Sequence, residues 1–262
     1  MKQELQWIPF FMLLTREIRR FGKVLIQTVV APLITSSLYL LVFGVSLGQK
    51  LQVGDVPYLA FLIPGLVMMG CLNNAFQNCS STIVSAKFGG DLEDFRVAPL
   101  SRLQIIWALA FGGLARGVIV GSITFAVGEL FYYVVHGELL PVKEPLAFVG
   151  FMALGGLCFA MIGISVGFWS KSVDQISAVG SFIILPLIYL GGVFFSLENL
   201  HPFWQNISKF NPLLYFINGV RFGVLGWSDV NIVYATVIAI ATLLTLQMVA
   251  LRSLKTGSFT RW

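Results

Sequence analysis

Residues 58–85, which read YLAFLIPGLVMMGCLNNAFQNCSSTIVS, form an apolar run without a charged side chain. The hydrocarbon core of a bilayer is about 30 Å thick, and an α-helix needs about 20 residues to cross it. The whole chain is 57% hydrophobic and only 11% charged, whereas an ordinary soluble domain has about 25% charged residues. The sequence therefore predicts an integral membrane protein.

Five further apolar runs are long enough to cross a bilayer, so the predicted fold is all-α with six transmembrane helices in one domain, 1–262. The predicted spans are 24–47, 58–85, 105–135, 146–169, 176–195 and 232–251. Twelve of the 17 Lys and Arg residues fall on the side that holds both termini, and four fall on the other side. The excess of positive charge predicts that both termini are cytoplasmic.

Two segments outside the spans are also expected to contact the membrane. Segment 1–23 carries apolar residues at helical spacing between arginines, which is typical of a helix lying along the inner membrane surface. A basic flank that only sets topology has the same composition. Segment 197–229 is too apolar for a solvated loop, which predicts short re-entrant helices, broken at Pro202 and at Asn211-Pro212, in the outer leaflet.

The second span has one polar and one apolar face. Its polar residues fall within an arc of about 100° at helical spacing; they are Asn74, Gln77, Asn78, Ser81 and Ser85. Its opposite arc, expected to face lipid, contains Leu72, Phe76, Cys79 and Ile83. The polar face either lines a translocation path or joins helices through amide hydrogen bonds, and the sequence leaves both functions open.

Small and charged residues in the other spans carry further predictions. Arg116 lies in the third span, where a cation costs several kcal/mol unless it faces protein or water. A structural role is the favoured interpretation for Arg116, and direct contact with a substrate is the alternative. Glycines at every fourth residue predict close helix packing; they are Gly113 with Gly117 and Gly121, and Gly163 with Gly167.

The cytoplasmic loop 86–102 between the second and third spans is the longest charged stretch of the sequence. Gly89-Gly90 precedes an acidic residue, and Pro99 follows a few residues later. This pattern predicts a short helix from Asp91 to Val97.

No catalytic or nucleotide-binding motif is visible in the sequence. Gly22-Lys23 is followed by Val24, which excludes a phosphate-binding loop at that place. His136 and His201 lie in different loops without metal-ligand spacing. The chain is therefore expected to be non-catalytic and to bind no metal or cofactor, and nucleic acid is not an expected partner.

Three groups of residues together resemble the permease subunits of bacterial type-2 ABC exporters, over nearly the whole chain. The first group is Glu93-Asp94-Phe95-Arg96-Val97-Ala98-Pro99 in the cytoplasmic loop. The second is the run PLIYLGGVFFS at 186–196, and the third is Asn211-Pro212-Leu213 with Tyr215 and Arg221.

The resemblance implies a permease of the bacterial inner membrane that works as a dimer, most simply a homodimer. Two copies of a separate ATPase subunit would bind ATP and Mg²⁺ and drive export. The resemblance also implies roles for two sets of residues. ATPase coupling falls to Glu93, Asp94, Phe95, Arg96 and Pro99, and the translocation pathway to Asn74, Gln77, Asn78 and Tyr189. The substrate, which can be a drug, a lipid or a glycan in this family, stays open.

Two other classes of protein are alternatives. A secondary transporter driven by an ion gradient usually has acidic residues at mid-membrane or broken helices in two matching repeats. Only Arg116 and Glu129 ionise within the predicted spans, and no internal repeat is apparent. In a membrane scaffold that transports nothing, the polar face of the second span would serve only to join helices.

Overall fold

The computed structural model describes residues 4–22, 25–47, 52–53, 56–93 and 98–256. Six of its helices are long and apolar enough to cross a membrane. This confirms the predicted all-α integral membrane fold.

Nine helices are numbered here in chain order. They are α1 Glu4–Gly22, α2 Leu25–Tyr39, α3 Tyr58–Gly89, α4 Arg102–His136, α5 Pro145–Trp169, α6 Val173–Leu190, α7 Pro202–Phe210, α8 Pro212–Leu225 and α9 Ile232–Thr256. α2 continues as a π-helical stretch, Leu40–Leu47, and α6 contains a π-helical turn, Gly180–Ile184. The two-residue strands β1 Gln52–Val53 and β2 Val56–Pro57 pair antiparallel before α3. The six candidate spans are α2 with its continuation, α3, α4, α5, α6 and α9.

α3 is the central helix and packs most extensively against α4 and α5. Its apolar arc of Leu72, Phe76, Cys79 and Ile83 is almost completely buried against these neighbours. The expectation that this arc faces lipid is wrong, because a central helix uses its apolar face to pack against protein on two sides. Because α4 and α5 cover the apolar arc, the polar arc of α3 points away from these two helices.

Glycines allow α4 and α5 to approach α3 closely. A Cβ atom on Gly117 would lie 2.7 Å from the Cys71 carbonyl oxygen, and one on Gly163 would lie 2.5 Å from the Phe76 carbonyl oxygen. Similar close approaches to α3 surround Gly113 and Gly167, whereas a Cβ on Gly121 would lie 3.1 Å from the Met152 sulfur on α5 and 3.4 Å from the nearest atoms of α3. Four of the five glycines chosen from the sequence thus lie at tight contacts with α3, and Gly121 lies at an ordinary contact with it.

Three spans end at different places from those expected, and one of them, α9, continues to Thr256, five residues beyond the expected end. α3 continues to Gly89 and ends at Gly90, whose positive φ of 83° closes the helix. One 3-10 turn, Asp91–Glu93, follows; the rest of the predicted helix to Val97 lies outside the described residues. α6 begins at Val173 and ends at Leu190, five residues before the expected end, and Gly192 in the following turn has φ 87°.

The segment before the last span forms the two short helices expected there, and they are separated at Asn211. The Asn211 side chain accepts a hydrogen bond from the Leu213 amide at 3.1 Å, which caps α8, and donates one to the Leu187 carbonyl at 2.6 Å. α8 packs against α5, α9 and α3 and is largely buried. α7 keeps apolar residues such as Phe203 and Phe210 on its exposed surface.

Candidate functional site

A groove runs along the polar face of α3 between α2 and α6. One part, of about 690 Å³, lies between α3 and α6, and a second part, of about 410 Å³, lies between α3 and α2. Asn73, Gln77 and Arg116 line both parts, so the two form one continuous depression. α3 forms its floor, α2 and α6 form its walls, and Arg116 reaches it from α4.

The structure brings two of the predicted pathway residues together in this groove. Gln77 is exposed there, and Asn74 is half-buried with its amide donating to the Gly70 carbonyl at 3.1 Å. Asn73 also lines the groove and was missed by the sequence prediction. Its adjacency to Asn74 in an apolar run was the signal available.

Asn78 lies elsewhere, because it is fully buried beneath α1. Its backbone carbonyl and side-chain oxygen accept hydrogen bonds from Arg20 at 2.8 and 3.3 Å. Next to it, the buried Glu17 carboxylate accepts a hydrogen bond from the Thr82 hydroxyl at 2.8 Å. These contacts attach α1 to α3, and a further cavity of about 990 Å³ lies between the two helices.

Tyr189, the fourth predicted pathway residue, lies beside the end of the groove that Tyr39 lines. Its hydroxyl is 3.4 Å from the hydroxyl of Tyr39 on α2, and both rings pack against Phe194. Tyr58 donates a hydrogen bond to the Phe194 carbonyl at 2.8 Å. These aromatic residues connect α2 to α6 and narrow the groove at this end.

Arg116 is half-buried in the groove wall. Its Nε is buried and has no hydrogen-bond partner among the residues that the structure describes. The charged side chain that acts on it is Arg20, which carries the same sign. The site thus contains a cation whose charge is not compensated by its described neighbours.

A second buried arginine, Arg221 on α8, has partners for its terminal nitrogens, although its Nε, like that of Arg116, is buried without a hydrogen-bond partner among the described residues. Its guanidinium donates to the Gly192 carbonyl at 2.7 Å and lies 3.4 Å from the Asp229 carboxylate. It also lies 3.8 Å from the centroid of the Phe61 ring. Burial lowers the pKa of Arg221 to about 10 and Asp229 opposes this shift, so the residue stays charged at neutral pH.

The residues predicted to couple to an ATPase are only partly described. Asp94, Phe95 and Arg96 lie outside the described residues, as does the side chain of Glu93. Pro99 is exposed just before α4. The loop 86–102 begins at a fixed point, because Lys87 near the end of α3 is buried and donates to the carbonyls of Phe168 and Ser170 at 2.6 and 2.8 Å.

A polar groove along the central helix of a six-span bundle can bind or pass a solute, and these features define a multi-pass membrane permease. A family model described as ABC-2 type transporter matches residues 9–225. The chain therefore belongs to the ABC-2 type transporter permease family, which confirms the resemblance seen in its motifs.

Relatives cover most of the chain. It is 38% identical over 233 residues to the inner membrane transport permease YadH of Escherichia coli strain K12, with 87% of this chain and 88% of the relative covered. It is 26% identical over 232 residues to nodulation protein J of Neorhizobium galegae, with 85% and 82% covered. Nodulation protein J of Rhizobium meliloti strain 1021 is 23% identical over 211 residues, with 78% and 76% covered.

Proposed function

We propose that this chain is the membrane-spanning permease subunit of an ATP-driven exporter. Two copies form the translocation pathway between them, and separate ATPase subunits supply the energy. Membership of the ABC-2 type transporter family supports this function, and so does the similarity to a transport permease over most of both chains.

The observation that carries the proposal is the open polar face of α3. Gln77, Ser81 and Ser85 are exposed in the single chain, although α3 is otherwise its most buried helix. A polar face open to lipid is unfavourable, so such faces normally contact protein or water. A second copy placed over this face would shield it from lipid and join two grooves into one pathway.

The narrow end of the groove beside Tyr39 and Tyr189 fits a resting state of such a pathway. Tyr39 and Tyr189 connect the two groove walls, so separation of α2 from α6 would open the groove outward. Both walls contain π-helical residues, which occur often at functional sites in helices.

Coupling to the ATPase would act through the loop 86–102. Lys87 connects the end of α3 to the end of α5, so a displacement of this loop would move both helices. Glu93, Asp94, Phe95, Arg96 and Pro99 would contact the ATPase, which would bind ATP and Mg²⁺. The chain itself would then perform no catalysis.

The proposed location is the bacterial inner membrane, with both termini in the cytoplasm. The name of the Escherichia coli relative supports the membrane, and the bias of Lys and Arg supports the orientation.

Affinity purification of the tagged chain from its native membrane tests the proposal. We expect a subunit with a phosphate-binding loop to co-purify in stoichiometric amount and to hydrolyse ATP in the complex. Phe95→Ala should lower ATPase retention or uncouple its hydrolysis from transport. Phe210→Ala is the matched control, because Phe210 is 90% exposed on α7, and it should retain the ATPase.

Cross-linking tests whether two copies of the chain place their grooves against each other. The three native cysteines are buried, so a short bifunctional maleimide should react mainly with an introduced thiol. Ser177→Cys on the exposed wall of α6 should give cross-linked dimers. Val237→Cys, exposed on α9 away from the groove, should not.

Three results would contradict the proposal. Absence of an ATPase in several mild detergents would remove the ATP-driven mechanism. Transport in nucleotide-free vesicles under an ion gradient would favour a secondary transporter. Full activity of a folded Asn74→Leu/Gln77→Leu variant would remove the pathway role of the groove and favour helix joining.

A further inference from the structure

Arg116 is a membrane-embedded cation for which the described part of the chain supplies no counter-charge. It lies 14 residues into α4, about 21 Å from the start of this helix. Its Nε is buried and donates to no described residue, and the side chain lines both parts of the groove. A cation at such a depth is stabilised only by a partner of opposite charge or by water, and the groove gives access to both.

One described carboxylate lies near Arg116, and two other arginines share it. Glu17 packs next to Gly112, one helical turn before Arg116. Its Oε2 accepts from the Thr82 hydroxyl and lies 3.4 Å from Arg20 Nε, and its Oε1 lies 3.6 Å from Arg16 without accepting a hydrogen bond. Arg20 also acts on Arg116 with the same sign, so the single charge of Glu17 does not balance the arginines of the described region.

A second copy of the chain would not supply the missing charge either. Of the 12 Asp and Glu residues, only Glu129 and Asp174 fall within the six candidate spans. Glu129 lies 13 residues beyond Arg116, about 19 Å along α4, and Asp174 is the second residue of α6. A dimer axis along the membrane normal keeps each residue at its own depth, so Glu129 of a second copy would not reach Arg116; Asp174 is exposed at the start of α6 and does not line the groove.

We propose that the groove binds an amphiphile with an anionic head group, a phosphate or a carboxylate, and that Arg116 pairs with this group. This inference rests on the proposed function, because it assigns a substrate class to the same groove. The planar guanidinium fits phosphate and carboxylate oxygens through two parallel hydrogen bonds. The amides of Asn73 and Gln77 would bind the remaining oxygen atoms of the head group.

The shape of the groove fits an amphiphile rather than a free ion. Leu66 and Met69 line it on the outer side of Arg116, and Ile176 and Leu185 line the part next to α6. The two parts, of about 690 and 410 Å³, are within the size of small-molecule sites, which are usually 300–1,000 Å³. Apolar walls beside one unpaired cation match a hydrocarbon chain that is joined to an anionic head group.

Direct binding to the purified permease tests the inference without the ATPase. The chain is placed in nanodiscs of neutral phosphatidylcholine and titrated with radiolabelled dodecyl phosphate. We expect saturable binding of one molecule per copy, with dodecylphosphocholine at least about ten-fold weaker. Arg116→Gln should lower the affinity for dodecyl phosphate about ten-fold or more and abolish this preference, whereas Arg116→Lys should retain part of it.

Arg252→Gln is the matched control. Arg252 is exposed near the end of α9, the last span, and it does not line either part of the groove. This variant should bind dodecyl phosphate as the unchanged chain does. If Arg116→Gln does not remain monodisperse, two other measurements decide the result. They are the preference of the unchanged chain for dodecyl phosphate over dodecylphosphocholine and the same preference in the Arg116→Lys variant.

Equal affinity for the two amphiphiles, or unchanged binding by folded Arg116→Gln, would overturn the inference. Displacement of the probe by phosphatidylglycerol in the nanodisc would support the anion site and identify a bilayer lipid as its source. Lack of displacement would support a site reserved for a diffusing amphiphile. Because no ATPase is present, a failure here is separate from a failure to co-purify an ATPase.

Discussion

Two buried arginines in this protein have opposite surroundings. Arg221 on α8 is fully buried and contacts a carboxylate, a carbonyl, an amide oxygen and an aromatic ring. Arg116 in the groove is half-buried and makes no hydrogen bond to a described residue. The cations are chemically identical, so the difference lies in what each neighbourhood provides.

This difference separates a structural charge from one that is available for binding. Two partners of Arg221 also bind each other, since the Asp229 amide donates to the Asn218 side-chain oxygen at 3.0 Å. The Asp229 carboxylate in turn accepts hydrogen bonds from the Ser196 hydroxyl at 2.5 Å and the Leu197 amide at 3.2 Å. The cluster thereby ties α8 to the turn after α6 and to the loop before α9. Arg116 ties no elements together, so its removal should affect binding rather than folding.

The largest effect should follow from Arg221→Met. The change leaves Asp229 as an uncompensated buried carboxylate, and breaking a buried pair in this way costs about 3–5 kcal/mol. We expect a large fall in the thermal unfolding midpoint in detergent and poor recovery of monodisperse protein. The double variant Arg221→Met/Asp229→Asn should recover part of the loss, because it removes the orphaned charge. A single variant as stable as the unchanged chain would show that the cluster is not structural.

The sequence alone does not distinguish the two arginines, because the partners of Arg221 come from distant positions such as Phe61 and Gly192. Lys87 is likewise one charge of the loop 86–102 in the sequence, and only the structure shows that it is buried and binds the end of α5. Hydropathy measures how apolar a segment is, and it contains no information about tertiary partners.

The six spans were predictable because length and apolar composition determine them almost by themselves. The orientation of α3 was not, because an apolar arc looks the same whether it faces lipid or protein. Asn78 shows the same limit. It shares the polar arc with Gln77, yet α1 covers it and leaves Gln77 open.

Packing at α3 should give the next largest effect. Gly163→Ala places a Cβ only 2.5 Å from the Phe76 carbonyl oxygen, and overpacking of this kind typically costs about 1–3 kcal/mol. Gly150→Ala is the control in the same helix, since a Cβ there meets nothing within 4 Å. We expect a lower unfolding midpoint for Gly163→Ala only. Equal unfolding midpoints for the two variants would mean that α5 can shift away from α3 without loss of stability.

The smallest effect on stability should come from Arg116→Leu. The sign of the effect shows whether Arg116, unlike Arg221, contributes nothing to folding. The substitution breaks no hydrogen bond or ion pair with the described residues and removes a cation from a membrane span. We expect an unfolding midpoint equal to or above that of the unchanged chain, with a change of stability within about 0.5 kcal/mol. The same thermal unfolding assay used for Arg221→Met measures it. A fall approaching that of Arg221→Met would mean that Arg116 has a structural partner in the assembled protein, and the groove would then lose its free charge.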